Sequence, residues 1–142
     1  MFIDSLMMRT NYLLEEGLNT ESLRRKVIAN NIANVDTPHF KRSEVNFESQ
    51  LKRVIMEQND ENAKLPALMN DRRHIPFFIP RDIHSVRNRV NLDYSTTYRN
   101  DGNNVDIEKE MVDGATTTMR YNAFVTSLNS NYRMLKIAMR QV

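Results

Sequence analysis

Apolar side chains recur most regularly near the C-terminus. Ile107, Met111, Gly114, Thr118, Tyr121, Val125, Leu128, Tyr132, Leu135, Met139 and Val142 alternate spacings of four and three, and nine of these eleven are apolar. A seven-residue repeat held this long is the pattern of a coiled-coil seam, because a slightly under-wound helix keeps one stripe turned to its partner. Asp106 supplies an N-cap, and Glu108 and Glu110 suit the positive end of the helix dipole. Ala115, Phe124, Met134, Ile137 and Ala138 lie outside the seam, so the helix is expected to touch more than one neighbour. An ordinary buried helix of a small bundle gives the same periodicity.

A second helical segment is predicted from about Ser5 to Asn34, with Met7, Leu14, Leu18, Ile28, Ile32 and Val35 on one stripe. Glu21 and Arg25 interrupt it four residues apart, in the order that favours a helical ion pair, and Gly17 one turn earlier predicts a bend or fraying there. A shorter helix is expected over 46–58, where Phe47, Leu51, Val54 and Ile55 share a face and Ser43 or Asn46 can cap it. Residues 60–104 break the pattern with Pro66, Pro76 and Pro80, the cluster Phe77, Phe78 and Ile79, and an alternating run Val90, Leu92, Tyr94, Thr96, Tyr98. A loop with one or two strands is the reading. The fold class is therefore mainly α. Long terminal helices pack as an antiparallel coiled-coil-like hairpin, with a shorter helix and a loop/β central segment. One unit of 142 residues is expected, divided into an N-terminal helix in 1–36, a central segment 37–104 and a C-terminal helix 105–142.

Composition narrows the function. Cysteine is absent, which removes disulfides, thiolate metal sites and a cysteine nucleophile. Twenty basic against 18 acidic side chains leave +2, too little to attract a polyanion. The 17 asparagines offer many amides for capping and lateral hydrogen bonds. His39, His74 and His84 show no ligand spacing, so no metal and no cofactor are expected. Glu108 and Glu110 point about 200° apart on a helix and read as dipole-favouring residues, not as a carboxylate pair. The arginines at 72, 73, 81, 87 and 89 and the nearby aromatics raise a nucleic-acid surface, but Asp60, Glu61, Asp71, Asp82 and Asp93 dilute it. No phosphate loop, nucleophile elbow or zinc motif occurs, so neither an enzyme nor a small-molecule substrate is expected. The N-terminus lacks the basic and apolar regions of a cleaved signal peptide.

The segment 29–42, Ala-Asn-Asn-Ile-Ala-Asn-Val-Asp-Thr-Pro-His-Phe-Lys-Arg, resembles the N-terminal signature of flagellar rod and hook axial proteins. Ala29, Asn30, Asn34, Thr37 and Pro38 carry the match. Asn30 and Asn34 share a helix face beside the small Ala29 and Ala33, where a further helix can approach closely, and Pro38 stops the helix. His39 stands where that family usually has glycine, and Phe40 where it has tyrosine, which puts a glycine-type backbone angle in doubt. Residues 45–51 and 101–111, the latter with Asn103, Asn104, Val105 and Asp106, resemble the proximal-rod members of the family. The resemblance covers about 1–58 and 98–142.

It implies a structural subunit of the proximal rod that self-associates through Leu14, Leu18, Ile28, Ile32, Ile107, Met111, Tyr121, Val125, Leu128, Tyr132, Leu135 and Met139. Implied partners are other rod subunits, the adaptor between membrane ring and rod, and the flagellar export gate. The implied location is the periplasmic rod, reached without a cleaved signal peptide. The alternatives are a sibling subunit at a neighbouring rod position and a basic helical nucleic-acid-binding protein.

Overall fold

The computed structural model describes residues 6–59, 70–71, 73–74, 81–95 and 99–139. In chain order these form α1 (Leu6–Ala33), β1 (Ser43–Asn46), α2 (Glu48–Asn59), a 3-10 turn (Ile83–Ser85), β2 (Arg89–Leu92) and α3 (Ile107–Met139). The mainly helical class expected from periodicity is the one found. Pro66, Pro76, Pro80, Phe77, Phe78, Ile79, Thr96, Tyr98 and Val142 lie outside the described residues.

The described residues fall into two compact units, one from Met1–Val45 and Val90–Val142, the other from Asn46–Arg89. The first contains the 28-residue α1 and the 33-residue α3, about 42 and 50 Å long at 1.5 Å per residue. Their contacts run in opposite directions along the two sequences. Asn131 Nδ2 donates to Asn11 Oδ1 at 2.8 Å, Gly17 faces Phe124, Ile28 faces Gly114, and Asn31 reaches Glu110. The helices are thus an antiparallel hairpin.

α1 runs through Gly17 without a break. A Cβ there would lie 3.1 Å from Phe124 Cε2, so glycine permits the close approach of a ring from α3. The ion pair expected between Glu21 and Arg25 is replaced. Glu21 pairs with Arg24 at 2.7 Å, and the Arg25 guanidinium lies 4.1 Å from the centroid of the Tyr121 ring. α3 starts where expected, with Asp106 Oδ1 accepting from the backbone of Glu108 at 2.9 Å and of Lys109 at 3.3 Å.

β1 and β2 form a two-stranded sheet. Asp93 N–H donates to the Arg42 carbonyl at 2.8 Å, joining the position before β1 to the position after β2, so the strands run antiparallel. Ser43 and Asn46, expected as helix caps, lie in β1, and Asn46 Oδ1 accepts from the Ser49 hydroxyl. In the second unit α2 and the 3-10 turn bury Phe47, Val54, Ile83 and Val86, and Gln58 Nε2 donates to the Arg81 carbonyl at 2.9 Å.

Candidate functional site

α3 has two faces that differ in what they meet. At about 100° per residue, Glu110, Thr117, Tyr121 and Leu128 fall on one side, which is the side turned to α1. Val125 and Leu135 flank that side and are half-buried, as are Leu14, Leu18 and Ile32 on α1, while Ile28 is buried. Ile107, Met111, Tyr132 and Met139, placed on the same seam by the heptad reading, are exposed. α3 turns Glu110 and Thr117 inward at its first turns, which moves Met111 off the hairpin interface, while Tyr132 stays on the inner side and its hydroxyl donates to Glu15 at 2.9 Å.

Glu110 is fully buried, and its surroundings justify that. Arg42 Nε donates to Glu110 Oε1, and Asn31 Nδ2 donates to Oε2 at 3.1 Å. Arg42 also pairs with Glu44, and with Asp113 at 3.2 Å. Asn31 bonds both backbone groups of Ser43, donating to its carbonyl at 2.9 Å and accepting from its N–H at 3.0 Å. A buried carboxylate costs several kcal/mol unless its charge and lone pairs are matched, and here α1 supplies Asn31 and the segment before β1 supplies Arg42. Glu110 is therefore the centre of a buried junction, not merely a dipole-favouring residue. Periodicity could not show this, because the groups that satisfy Glu110 lie 68 and 79 positions away in the sequence.

The motif residues make a second junction beside it. Asn103 Nδ2 donates to the carbonyls of Asn34, Val35 and Thr37 at 3.1, 3.0 and 2.9 Å, tying the turn that follows α1 to the approach to α3. Its Oδ1 accepts from Val105 N–H at 2.7 Å. Asn104 Oδ1 accepts from Arg42 N–H at 2.6 Å, and its amide donates to the Asp93 carbonyl at 2.8 Å. Arg99 donates to the Val35 carbonyl and to Asp36, each at 3.2 Å, bringing positive charge to the negative end of the α1 dipole.

His39 adopts φ 60° and holds the left-handed turn that glycine would take, its N–H donating to the Asp101 carbonyl at 3.1 Å. Of Asn30 and Asn34, expected to offer amides to a further helix, Asn34 turns its amide to Asn30 within the chain. Asn34 Nδ2 reaches Asn30 O at 2.8 Å and Oδ1 at 2.9 Å, and Thr37 donates to Asn34 Oδ1. Thr37, Pro38, Ala29 and Ala33 are exposed.

The opposite face of α3 is unusual for a surface. From Met111 to Ile137 it presents Met111, Val112, Ala115, Met119, Asn122, Ala123, Thr126, Ser127, Ser130, Arg133, Met134 and Ile137, all exposed and with a single charge among them. Met119 and Ile137 stand about 180° from Leu128 around the helix axis. Thr126 donates to the Asn122 carbonyl at 2.9 Å, so its hydroxyl is already satisfied if this face is covered. The exposed residues of α1, by contrast, include Arg9, Glu15, Arg25 and Lys26.

A cleft of about 190 Å³ beside the buried junction is lined by three arginines (Arg24, Arg42, Arg120) and three carboxylates (Glu44, Glu110, Asp113), which give it no preference for either sign of charge. Among the described residues no group of three or more histidine, aspartate or glutamate side chains could hold a metal ion, and no helix is long and apolar enough to cross a membrane.

Comparison with known proteins agrees with the motif. The model of a family described as flagella basal body rod protein matches residues 12–41, which include most of α1 and the turn after it. The chain is 35% identical to the flagellar basal body rod protein FlgB of Bacillus subtilis, over 93% of this chain and 94% of that one. It is 37% identical to FlgB of Borrelia hermsii over 90% and 93%, and 30% identical to FlgB of Salmonella typhimurium over 84% of each. With identity at this level along nearly its whole length, the chain belongs to the FlgB family of flagellar basal body rod proteins.

Proposed function

We propose that the chain is a structural, non-catalytic subunit of the proximal rod of the flagellar basal body, joined to its neighbours through the outer face of α3. The observation that carries this reading is the near absence of charge on that face between Met111 and Ile137, where Arg133 is the one charged residue and Met111, Val112, Met119, Met134 and Ile137 are exposed. A surface of that kind marks a contact site. The hairpin supplies what a rod subunit needs, because α1 and α3 are fixed in one register by buried polar junctions and can transmit load without sliding. The residues named from the heptad pattern then divide. Leu14, Leu18, Ile28, Ile32, Tyr121, Val125, Leu128 and Leu135 hold the hairpin together, Tyr132 adds a hydrogen bond to Glu15 of α1, and Ile107, Met111 and Met139 are left for neighbours.

The magnitudes favour a large assembly over a pair. Burying Met111, Val112, Met119, Met134 and Ile137 stabilises contact by about 1.5 to 3 kcal/mol each. The sum, about 7 to 15 kcal/mol, is close to the cost of immobilising two partners. A single seam is then marginal and many repeated seams are rigid. Under the same reading the partners are other copies and other rod subunits, the adaptor that joins the membrane ring to the rod, and the export gate, and the site of action is the periplasmic rod.

Met119→Asp tests the assignment. The purified variant is expected to unfold at the same urea concentration as the parent chain, because Met119 touches solvent in the folded subunit, while cells carrying only this variant lack flagella. Normal flagellar number in those cells would overturn the reading.

A further inference from the structure

Three of the five large apolar side chains on the outer face of α3 are methionine, and each is largely open to solvent: Met111 63%, Met119 65% and Met134 61%. All lie within about 80° of the direction that points away from α1. Leucine or isoleucine would provide the same apolar area, but only a thioether can be switched to a polar group without replacing the residue.

We propose that Met111, Met119 and Met134 form an oxidation-sensitive patch, whose conversion to methionine sulfoxide by a peroxide prevents the free subunit from joining an assembly. This rests on the reading that the outer face of α3 is the contact surface. The sulfur lone pair attacks one oxygen of hydrogen peroxide, the S–O bond forms as the O–O bond breaks, and the departing oxygen takes up a proton and leaves as water. Sulfur is oxidised by two electrons and the peroxide is reduced by two. The product replaces an apolar thioether with a strong hydrogen-bond acceptor, and covering that oxygen with the apolar side chains of a neighbour leaves it unpaired. A thiol-dependent sulfoxide reductase reverses the change, removing the oxygen as water while a dithiol becomes a disulfide. Once the face is covered the sulfurs are shielded, so the patch responds only before assembly.

The structure contains its own comparison residues. Met7 is half-buried, and Met56 is 60% exposed on α2, in the other compact unit. The full-length folded chain, treated with hydrogen peroxide and mapped by peptide mass spectrometry, should oxidise at Met111, Met119 and Met134 within about threefold of the rate of free methionine, and more slowly at Met7. Cells carrying the triple variant Met111→Gln, Met119→Gln, Met134→Gln, which imitates the sulfoxide, should lose most of their flagella. The corresponding triple leucine variant should form normal flagella and continue to do so under peroxide exposure that stops the parent. Met56→Gln should change nothing.

Three results would overturn the proposal: protection of the three sulfurs at the level of Met7, normal flagella in the triple glutamine variant, or loss of flagella in the triple leucine variant. The last would mean that side-chain shape, not oxidation state, is what the face requires. If the triple glutamine variant assembles while Met119→Asp does not, the oxidation proposal fails and the rod reading stands. If both assemble, the rod reading fails as well.

Discussion

Replacing Arg42 by alanine tests whether the buried junction fixes the register of the hairpin. The substitution removes the donor to Glu110 Oε1 and leaves a fully buried carboxylate with the Asn31 amide as its remaining donor among the hydrogen bonds described above. Breaking one partner of a buried, hydrogen-bonded pair costs about 3 to 5 kcal/mol. The further contacts of Arg42 to Glu44 and Asp113 add little, because those carboxylates are about half exposed and screened by water. Against a total of about 5 to 15 kcal/mol for a domain, the loss is about a fifth or more of the stability. Urea unfolding followed by far-ultraviolet circular dichroism measures it. Adding Glu110→Gln to Arg42→Ala removes the stranded charge, so the double variant should recover about 1 to 3 kcal/mol relative to the sum of the singles. A cost below about 1 kcal/mol for Arg42→Ala, or strict additivity in the double variant, would refute the argument that Glu110 is held by that pair.

Three further outcomes follow from the geometry. Gly17→Val should destabilise the hairpin by about 1 to 3 kcal/mol in the same urea assay, since its Cβ meets the Phe124 ring at 3.1 Å and a branched side chain cannot be accommodated without moving α3. Asn103→Ala should cost about 1 to 3 kcal/mol, because three carbonyls beyond α1 lose one amide, and amide exchange at the end of α1 should accelerate. The Tyr132 phenol donates to Glu15 at 2.9 Å, and that hydrogen bond, reinforced by the carboxylate charge, raises its pKa above the ordinary value of 10.0. The stabilisation it gives is therefore present below that ordinary value and is lost as pH rises through the raised one. Ultraviolet titration of tyrosinate should show a late-ionising tyrosine that disappears in Tyr132→Phe.

How much of this was legible in the sequence depended on where the interacting groups lie. The two long helices and their antiparallel pairing could be read because apolar spacing is local information, and Asp106 marked the start of α3 for the same reason. The strand pairing was half legible, in the alternation of Val90 and Leu92, while Ser43 and Asn46 read equally well as caps because their strand partner is distant in the chain. The heptad stripe identified Tyr121, Val125, Leu128 and Leu135 on the inner side but carried Ile107 and Met111 with them. Hydrophobicity scores Glu110 and Thr117 as surface residues, and only the distant Arg42 and Asn31 make Glu110 a buried one. Asn31 lies inside the motif beside Asn30 and Asn34, whose spacing is visible in the sequence, while the partners of Asn31, Ser43 and Glu110, are distant in the chain. The outer face of α3 left a signal that could have been used, since a charge-poor back face is unexpected on a helix already paired on its front.

The central claim is that neighbouring subunits cover the outer face of α3. Cryo-electron microscopy of purified basal bodies, with this chain traced in the rod density, tests it most directly. The account predicts that the side chains of Met119 and Ile137 are packed against helices of adjacent subunits, with α1 and α3 in the register set by Arg42 and Glu110. A rod in which that face of α3 is open to solvent, with the subunits joined through other surfaces, would contradict it.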